Sequence, residues 1–482
     1  ATVRTSSGIT GLTKSIPSGF FTQIGSDIDG EDAYDYSGQS VSVSDDGSIV
    51  AIGAYGNDGN GSNSGHVRVY QNINSIWTQI GSDIDGEDTG DLSGLSVSLS
   101  SDGSIVAIGA HLNDGNGSDS GHVRIYKNVN NTWTKIGGDI DGEDAGDNSG
   151  MSVDLSADGS IVAIGTSLND GNGTDSGHVR IYKNVNNSWS QIGSDIDGEA
   201  AGDFSGWAVS LSSDGSVVAI GAEGNDGNGS NSGHVRIYKN INDTWTKVGG
   251  DINGEDAGDL SGSKVSLSSD GSIVAISAPR NDENGNNSGH VRIYKNINNT
   301  WTKLGSDIDG EATEDFSGWS VSLSSDGSVV AISAYANDGN GDRSGHVRVY
   351  QIDSITLEAT IISASELISL DAQYSGAVNA STITTISGTY ADLNIIYASN
   401  GISGLGDEEL TVTDSLSVSQ ANTLSELTSG VVTATISEGK SSILTSLIGT
   451  KNSYTIVIAD EMISAKELST INKKTSSSVD AS

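Results

Sequence analysis

The sequence has no cysteine, only 2 prolines, and few aromatic residues, which make up 5% of its 482 residues. The lack of cysteine excludes a disulfide scaffold and thiolate metal sites. No apolar run approaches the roughly 18 residues that a membrane helix needs, so we expect no direct insertion into a membrane. Only 34% of the residues are hydrophobic, whereas 64 are glycine. This composition suits thin layers of short strands joined by glycine-rich turns.

Basic residues are also scarce. The 23 Lys and Arg residues face 63 Asp and Glu residues, so the net charge is −40. Such a balance argues against nucleic acid and anionic membrane surfaces, which attract basic patches. It favours soluble, cation-rich surroundings, because so much like charge opposes compaction unless ions screen it.

What the sequence does contain is a repeat with a period of 56 residues. Histidine recurs at the equivalent point of each copy, at His66, His122, His178, His234, His290 and His346. A strict period of this length indicates a closed ring or an open array of small units.

Each copy contains four short runs rich in Val, Ile and aromatic residues, bounded by Gly, Asn, Asp and Ser. In the second copy they cover residues 77–81, 96–100, 104–110 and 122–127. The pair Asp102-Gly103 between two of these runs is a strong hairpin signal. Four antiparallel strands in each of six copies predict an all-β fold, a six-bladed β-propeller. A solenoid of stacked sheets is the competing interpretation.

The two ends of the array favour the ring. Residues 21–25 match the first strand of the next copy, and no such strand follows residue 350. If the N-terminal strand completes the last sheet, the propeller closes without an open edge. The predicted domains are a lead-in at 1–20, the propeller at 21–356 and small α/β tandem repeats at 357–482.

These copies resemble the FG-GAP repeats of the integrin α-subunit propeller. The matching elements are Ser93-Gly94, Ser96-Val97, Asp102-Gly103, residues 108–110 and residues 121–126. The resemblance implies a propeller with 96–100 innermost and the tryptophan strand outermost, although that family usually has seven blades. The family's calcium hairpin lies between the first two strands, where this chain has only Ser-Asp-Gly-Ser, so those ligands cannot be transferred.

Two acidic loops of each copy are expected on one face. Alternating oxygen ligands, as in Asp-x-Asn-x-Ser and Asp-x-Asp-Gly-Glu, are what a hard cation such as Ca²⁺ selects. The alternative is a turn whose side chains bond to their own backbone. The candidate calcium ligands are Asp58, Asn60, Asp83, Asp85, Glu87, Asp114, Asn116, Asp139, Asp141, Asp170, Asn172, Asp195, Asp197, Asp226, Asn228, Asp307, Asp309, Asp338 and Asn340.

The recurrent histidines are predicted to be structural, because equivalent positions on a ring lie too far apart to converge. The recurrent tryptophans, such as Trp77 and Trp133, are expected to pack between blades. Each recurrent arginine, such as Arg124, is expected to pair with an acidic neighbour.

Two positions differ from copy to copy, the one before the inner strand and the one that ends the second strand. Both are expected on the acidic side, and the first is expected near the central mouth of the ring. Variation at equivalent points can create one asymmetric site, or it can be simple drift. The candidate ligand-binding residues at these positions are Trp207, Trp319, Tyr55, His111 and Tyr335.

The sequence contains no serine hydrolase elbow, no HExxH and no phosphate loop. Nearly identical copies would also give a catalytic pair the same environment six times. The expectation from the sequence is therefore that the chain is not an enzyme.

After about residue 356 the composition shifts to Ser, Thr, Ile and Leu. Capping boxes beginning at Ser363, Ser417 and Ser464 each predict a helix start, and a strand-like run precedes each one. These units recur at intervals of about 50 residues and stop partway through the third. Together with a first residue that is not Met and no visible signal peptide, this predicts a piece of a longer chain. Such tails loosely resemble the spacer repeats of large secreted or surface proteins of bacteria.

The sequence therefore predicts an extracellular or cell-surface adhesion module, with an acidic face ordered by Ca²⁺ and with a surface protein or polysaccharide as partner. A carbohydrate-binding propeller and a purely structural spacer remain alternatives.

Overall fold

The computed structural model describes residues 24–297, 299–352, 355–357, 359–373, 378–399, 401–460, 462–477 and 479–480. The predicted lead-in at 1–20 and most of the predicted closing strand at 21–25 lie outside these residues.

Residues 40–351 form six antiparallel sheets, one for each sequence copy. In blade 1 the strands are β1 (Ser40–Val43), β2 (Ile49–Ala54), β3 (His66–Ile73), β4 (Ile76–Gln79) and β5 (Ile84–Asp85). In blade 2 they are β6 (Ser96–Leu99), β7 (Ile105–Ala110), β8 (His122–Val129), β9 (Thr132–Lys135) and β10 (Ile140–Asp141). In blade 3 they are β11 (Ser152–Leu155), β12 (Ile161–Thr166), β13 (His178–Val185), β14 (Ser188–Gln191) and β15 (Ile196–Asp197).

The remaining three sheets repeat this order. In blade 4 the strands are β16 (Ala208–Leu211), β17 (Val217–Ala222), β18 (His234–Asn240), β19 (Trp245–Lys247) and β20 (Ile252–Asn253). In blade 5 they are β21 (Val265–Leu267), β22 (Ile273–Ala278), β23 (His290–Ile297), β24 (Thr300–Lys303) and β25 (Ile308–Asp309). In blade 6 the described strands are β26 (Ser317–Leu323), β27 (Val329–Ala334) and β28 (His346–Gln351).

Each blade runs from an inner strand to an outer strand through tight turns. In blade 2 the inner hairpin turns at Asp102, whose carboxylate accepts the Ser104 N–H and the Ser100 hydroxyl. The outer hairpin turns at Asn130 and Asn131, both in the left-handed region (φ 51° and 64°) that a two-residue turn between twisted strands needs. The tryptophan strand is therefore the outermost strand of the blade that precedes it along the chain.

The hydrophobic core lies between successive blades rather than within one. One cluster combines Val67 and Ile80 of blade 1 with Val106 and Ile108 of blade 2, and Trp133 packs against it. The Trp133 indole N–H donates to the Ile80 carbonyl of the neighbouring blade at 2.7 Å. The predicted packing of tryptophan between blades is confirmed.

The inner strands surround a central channel. Residues of the inner strands and inner hairpins of blades 1 to 5 line one cavity of about 320 Å³ there. Neighbouring inner strands are connected by hydrogen bonds between residues 57 positions apart in the sequence. The Leu99 N–H donates to the Ser42 hydroxyl, and the Leu155 N–H donates to the Ser98 hydroxyl. The predicted six-bladed propeller is confirmed.

Closure of the ring stays a prediction. Val347 and Val349 of β28 are 64% exposed, whereas Val67 and Val69, at the same points of β3, are 0% and 1% exposed. Blade 1 would have to pack against blade 6 to close the ring, and Val41 of its strand β1 is 59% exposed. Within the described residues, the sixth sheet contains three strands.

The C-terminal part is built of parallel strands and short helices. The strands are β29 (Ile355–Thr356), β30 (Ile361–Ser363), β31 (Val378–Asn379), β32 (Thr385–Gly388), β33 (Ile402–Ser403), β34 (Glu409–Leu416), β35 (Val432–Ile436), β36 (Ser453–Val457) and β37 (Val479–Asp480). The helices are α1 (Ala364–Gln373), α2 (Tyr390–Ala398), α3 (Val418–Leu427), α4 (Ser441–Leu444) and α5 (Ala465–Asn472). Strands β30, β32, β34, β35, β36 and β37 form one parallel sheet in chain order, and β29, β31 and β33 form another.

The three predicted capping boxes are confirmed, at Ser363, Ser417 and Ser464. The expected spacing of about 50 residues is wrong, because each interval contains a second strand–helix unit. Helix α2 starts at Thr389 without a capping box, and α4 is a four-residue helix whose N-cap, Lys440, makes no side-chain cap bond. The boxes therefore mark only every second helix.

Candidate metal centre

The two acidic loops of each copy lie side by side, as the sequence predicts. The loop between β7 and β8 forms backbone hydrogen bonds with the loop that leads into β11, including one from the Ser149 N–H to the Ser120 carbonyl. An isolated parallel bridge joins Gly121 to Ser149, and the same bridge recurs in blades 1, 3 and 4. We call the surface formed by these loops the acidic face.

The first predicted ligand set is engaged in hydrogen bonds of the loops themselves. One oxygen of Asp114 accepts the Asp119 N–H, and the Asn116 amide donates to the carbonyls of Gly142 and Glu143. The same turn bond is made by Asp58, Asp170, Asp226 and Asp338. The same inter-loop bond is made by Asn60, Asn172 and Asn228, whereas Asn340 donates its backbone N–H to Ser344. These residues have the geometry of the self-bonded turn, and each aspartate commits only one carboxylate oxygen to it.

The second predicted set faces the first. Glu87 lies 3.3 Å from the Arg124 guanidinium, and Asp83 accepts a hydrogen bond from the Gln79 amide at 2.5 Å. Asp139 instead pairs with the Lys135 ammonium at 2.7 Å. The expected pairing of the recurrent arginine with an acidic neighbour is confirmed.

The carboxylate of Asp85 lies beneath the turn that contains Gly59. A Cβ atom placed on Gly59 would be 3.5 Å from Asp85 Oδ1, and one placed on Gly115 would be 3.5 Å from Asp141 Oδ1. The position of this glycine is therefore the point at which a side chain would meet the second acidic set.

One opening on the acidic face is a cavity of about 590 Å³ in the third copy. Its titratable lining residues are seven carboxylates and one imidazole: Glu143, Asp144, Asp147, Asp170, Asp175, Asp195, Asp197 and His178. Among the lining residues there is no Lys or Arg. Of the predicted ligands, Asp170, Asp195 and Asp197 meet here.

Crowding and burial act on these carboxyl groups in the same direction. Burial raises the pKa of Glu143 and the pKa of Asp197, and the negative charge of Asp195 adds to both shifts. At the equivalent position of the second copy, burial and then the charge of Asp139 raise the pKa of Asp141. A bound cation would relieve this repulsion, because it favours the ionised form of each group around it.

The recurrent histidines do not meet one another, as expected, but each lies among carboxylates of the acidic loops. His66, His122 and His178 each form a three-residue group with a Glu 35 positions earlier and an Asp 17 positions later, the ligand atoms all lying within 4.8 Å of one another. In the fifth copy the group has four members, Glu255, Glu283, His290 and Asp307. Burial is the first cause that lowers the pKa of His122, His178 and His290 to about 4, so these imidazoles are neutral at pH 7.

Sequence reasoning missed these groups. The fixed spacing of Glu, His and Asp in successive copies could have revealed them. Instead, the acidic residues were interpreted as calcium ligands and the histidines as structural residues.

The variable residues form local pairs rather than one site. Trp319 and Tyr335 are in contact, with ring centroids 4.5 Å apart, and they are 49% and 43% exposed. Tyr55 stacks on Tyr36 at 5.1 Å. His111, at the equivalent point of blade 2, is largely buried, and burial lowers its pKa to about 4.

Trp207 is half-buried and does not share a ring contact with Trp319 in the described residues. Of the aromatic candidates, Trp319 therefore contacts Tyr335 and not Trp207.

The FG-GAP repeat family matches residues 28–70 and 195–238, which span parts of copies 1 and 4. Copies 1 and 4 of the propeller therefore match the FG-GAP repeat. The two matches begin in the acidic loop that enters an inner strand and end in the histidine strand, so they include both loops of the acidic face. FG-GAP repeats are typical of extracellular proteins. Among the described residues, no helix has the length and apolar character needed to cross a membrane.

Solved structures show the propeller fold at low sequence identity, and no curated protein matches the chain. A Bacteroides uniformis protein described as a 6-phosphogluconolactonase shares 13% identity over 66% of this chain and 81% of its own, with a TM-score of 0.47. The Pseudomonas aeruginosa periplasmic gluconolactonase shares 15% identity over 65% and 81%, with a TM-score of 0.45. The Kuenenia stuttgartiensis hydrazine synthase shares 13% identity over 64% and 78%, with a TM-score of 0.43.

The expectation that the chain is not an enzyme is corrected by these matches. Two of the similar propellers carry the names of enzymes, a 6-phosphogluconolactonase and a gluconolactonase, and the expectation is not retained. At this identity the likeness shows the fold alone, and it assigns no reaction to this chain.

Proposed function

We propose that this FG-GAP propeller is an extracellular adhesion module that binds a surface protein or polysaccharide, and that Ca²⁺ orders its acidic face. The observation that carries the calcium part is the 590 Å³ cavity in the third copy, where seven carboxylates converge with no basic residue in the lining. Ca²⁺ takes six to eight oxygen ligands in flexible geometry, and a loop-lined cavity of this size offers both.

The electrostatics of the cavity support a bound cation. Because burial and neighbouring charge both raise the pKa of Glu143 and Asp197, the unliganded loops are destabilised by their own charge at neutral pH. A divalent cation would stabilise the folded protein by removing that penalty. Ordered loops on one face of a ring then present a fixed surface to a partner, which is what adhesion requires.

The test is thermal and chemical unfolding of the whole chain in excess EDTA and in millimolar Ca²⁺, at constant ionic strength. Ligand linkage predicts about 2.7 kcal/mol of stabilisation for each site when Ca²⁺ is at a hundredfold excess over its dissociation constant. Mg²⁺ should give a smaller effect, because it keeps its water and demands octahedral geometry.

A matched variant identifies the site. Asp197→Asn removes one carboxylate from the cavity, and the fourth copy already has Asn253 at the equivalent position, so the fold tolerates the change. We expect Asp197→Asn to lose one site's share of the calcium effect, whereas Asp158→Asn, in an inner hairpin turn away from the acidic face, should keep it. Equal shifts with Ca²⁺ and Mg²⁺, or no shift, would overturn the calcium proposal.

A carbohydrate-binding propeller is the second candidate, and one observation favours it. Trp319 and Tyr335 form an exposed aromatic pair at the end of blade 6, and Phe316 lies 5.5 Å from the Tyr335 ring. Exposed aromatic surface of this kind can stack on a sugar ring. We expect a hit on a glycan array that Trp319→Ala abolishes and Trp77→Phe, on an outer strand, leaves unchanged. An array without a hit would leave the adhesion proposal with a protein partner.

A further inference from the structure

The fifth copy differs from the others at one position of the acidic face. Glu283 stands where copies 1 to 4 and copy 6 have Gly59, Gly115, Gly171, Gly227 and Gly339. In copies 1 to 3 that glycine faces the carboxylate of the second acidic set, at about 3.5 to 3.7 Å from a Cβ built on it. A glutamate here therefore adds a carboxylate to a site that already contains several.

Four side chains converge at this point. Glu255 comes from the loop that enters β21, Glu283 from the loop between β22 and β23, His290 from the first residue of β23, and Asp307 from the segment before β25. Their ligand atoms all lie within 4.8 Å of one another. Asp309 lies beside them, and its Oδ1 is buried without a hydrogen-bond partner.

His290 supplies an observation that is independent of the acidic cluster. Its side chain is completely buried, and neither Nδ1 nor Nε2 has a hydrogen-bond partner. An unpaired buried polar group costs about 1–3 kcal/mol, so a structure that keeps one normally uses it. A Glu255 oxygen lies 4.0 Å from Nδ1, which is too long for a hydrogen bond.

We propose that Glu255, Glu283, His290 and Asp307 form a binding site for a divalent transition metal, with Zn²⁺ as the best match. Zn²⁺ binds imidazole nitrogen and carboxylate oxygen and is usually four-coordinate, whereas Ca²⁺ selects oxygen ligands alone. The proposal goes beyond the calcium-ordered face and does not depend on it, because this site lies in another copy and Glu283 adds a fourth ligand to its group.

The electrostatics around Glu283 agree with a cation site. The charge of Asp309 is the first cause that raises the pKa of Glu283, and Asp307 and Glu255 raise it further. The imidazole of His290 is neutral at pH 7, since burial and then Arg292 lower its pKa to about 4. A neutral imidazole offers the lone pair that a metal requires.

Two cations share the site's carboxylates in this structure. Lys303 lies 2.6 Å from Asp307 and 3.8 Å from Glu255, and Arg292 lies 3.4 Å from Glu255. A metal ion must displace the Lys303 ammonium, so this lysine lowers the affinity. In copies 1 and 3 the equivalent residues are Gln79 and Gln191, which shows that the fold accepts glutamine there.

The experiment is calorimetric titration of the whole, EDTA-stripped chain with Zn²⁺ in the presence of excess Ca²⁺, which occupies the oxygen-only sites. Co²⁺ absorption in the visible range reports coordination by the same ligands. We expect one tightest Zn²⁺ site per chain. Glu283→Gly, which restores the residue of the other copies, should weaken that site at least tenfold, or about 1.4 kcal/mol, and Lys303→Gln should tighten it.

The control is Asp342→Ser, which also removes one carboxylate from the acidic face and restores the residue found in copies 1, 2 and 4. It should leave the tightest Zn²⁺ site unchanged. His290→Gln should abolish the Co²⁺ spectrum. The proposal is overturned if Glu283→Gly binds Zn²⁺ as the wild type does, if Ca²⁺ displaces Zn²⁺, or if no 1:1 site is found. Loss of this site would leave the calcium proposal intact, and the reverse also holds.

Discussion

Asp154 is the one residue at which the inner strands depart from a serine that all other copies share. The equivalents are Ser42, Ser98, Ser210, Ser266 and Ser322. These serines pass hydrogen bonds from blade to blade, and Asp154 takes its place in the series by accepting the Leu211 N–H at 2.7 Å and the Ser98 hydroxyl at 3.0 Å. Burial in the channel nevertheless raises the pKa of Asp154 to about 6.

Asp154→Ser should therefore stabilise the propeller at neutral pH. The pKa is raised in the folded protein, so the folded state binds more protons than the unfolded state between about pH 4 and pH 6. The stability of the wild type consequently falls as the pH rises through this window. We expect the variant to be more stable by about 1–2 kcal/mol at pH 7 and nearly equal at pH 4, since Asp154 lines the open channel, where solvent screens part of the shift. Urea unfolding at both pH values measures the difference.

Ser266→Ala provides the control, because it removes a hydroxyl from the same series, the acceptor of the Leu323 N–H, without changing charge. Its effect on stability should not depend on pH. A gain from Asp154→Ser that is the same at pH 4 and pH 7 would contradict the ionisation argument.

Single residues also decide where the repeat becomes asymmetric. The sequence shows that Glu283 replaces a glycine. It does not show that this position faces Asp309, which belongs to a different loop. The same holds for Trp319 and Tyr335, which are 16 residues apart and come into contact only because β26 and β27 are paired.

At the scale of elements, β28 is the strand whose pairing is incomplete. Its outer edge has no partner strand among the described residues. Its Val347 and Val349 side chains are largely exposed. An unpaired, apolar strand edge favours association with other chains. The Ile24 carbonyl accepts the Trp77 indole N–H at 2.7 Å, as the Ile80 carbonyl accepts that of Trp133. Ile24 thus has the same contact with blade 1 that Ile80 has with blade 2.

If residues 21–25 pair with β28, as the sequence predicts, removal of residues 1–25 takes away the partner of its outer edge. We expect the free energy of unfolding to fall by about 1 kcal/mol or more, because the Trp77 indole N–H also loses its acceptor, the Ile24 carbonyl. We also expect association that increases with concentration. Chemical unfolding and light scattering measure the two effects. Removal of residues 1–20 alone should change neither, and equal stability of the two shortened chains would contradict closure by this segment.

The C-terminal elements show how far local signals extend. Three capping boxes located three helices correctly, because that signal depends only on residues three positions apart. Helices α2 and α4 escaped because neither carries that signal. Their strands, β32 and β35, were identified only by the parallel sheet, in which β32 pairs with β30 and β34, and β35 with β34 and β36.

At the scale of the whole molecule, the ring determines where much of the net charge of −40 lies. Stacking six nearly identical blades places the same acidic loops on one face, and hydrogen bonds between the loops hold them together. The acidic loops of the six copies therefore concentrate negative charge on one face, and this charge attracts cations. Both proposals accordingly concern cation sites.

The sequence by itself determined the period, the number of blades, the hairpin turns and the helix starts, because these depend on short-range patterns of apolar, turn and capping residues. It also predicted which loops would be acidic and share a face, since strands alternate in direction. Only the tertiary structure decided that Glu, His and Asp residues 17 and 35 positions apart lie within 4.8 Å of one another. It alone showed that the Asp-x-Asn turns bond to themselves and that Glu283 lies beside Glu255, His290 and Asp307. The physical reason is that these contacts are made between loops of successive blades, whose approach depends on how the sheets pack and not on any local pattern.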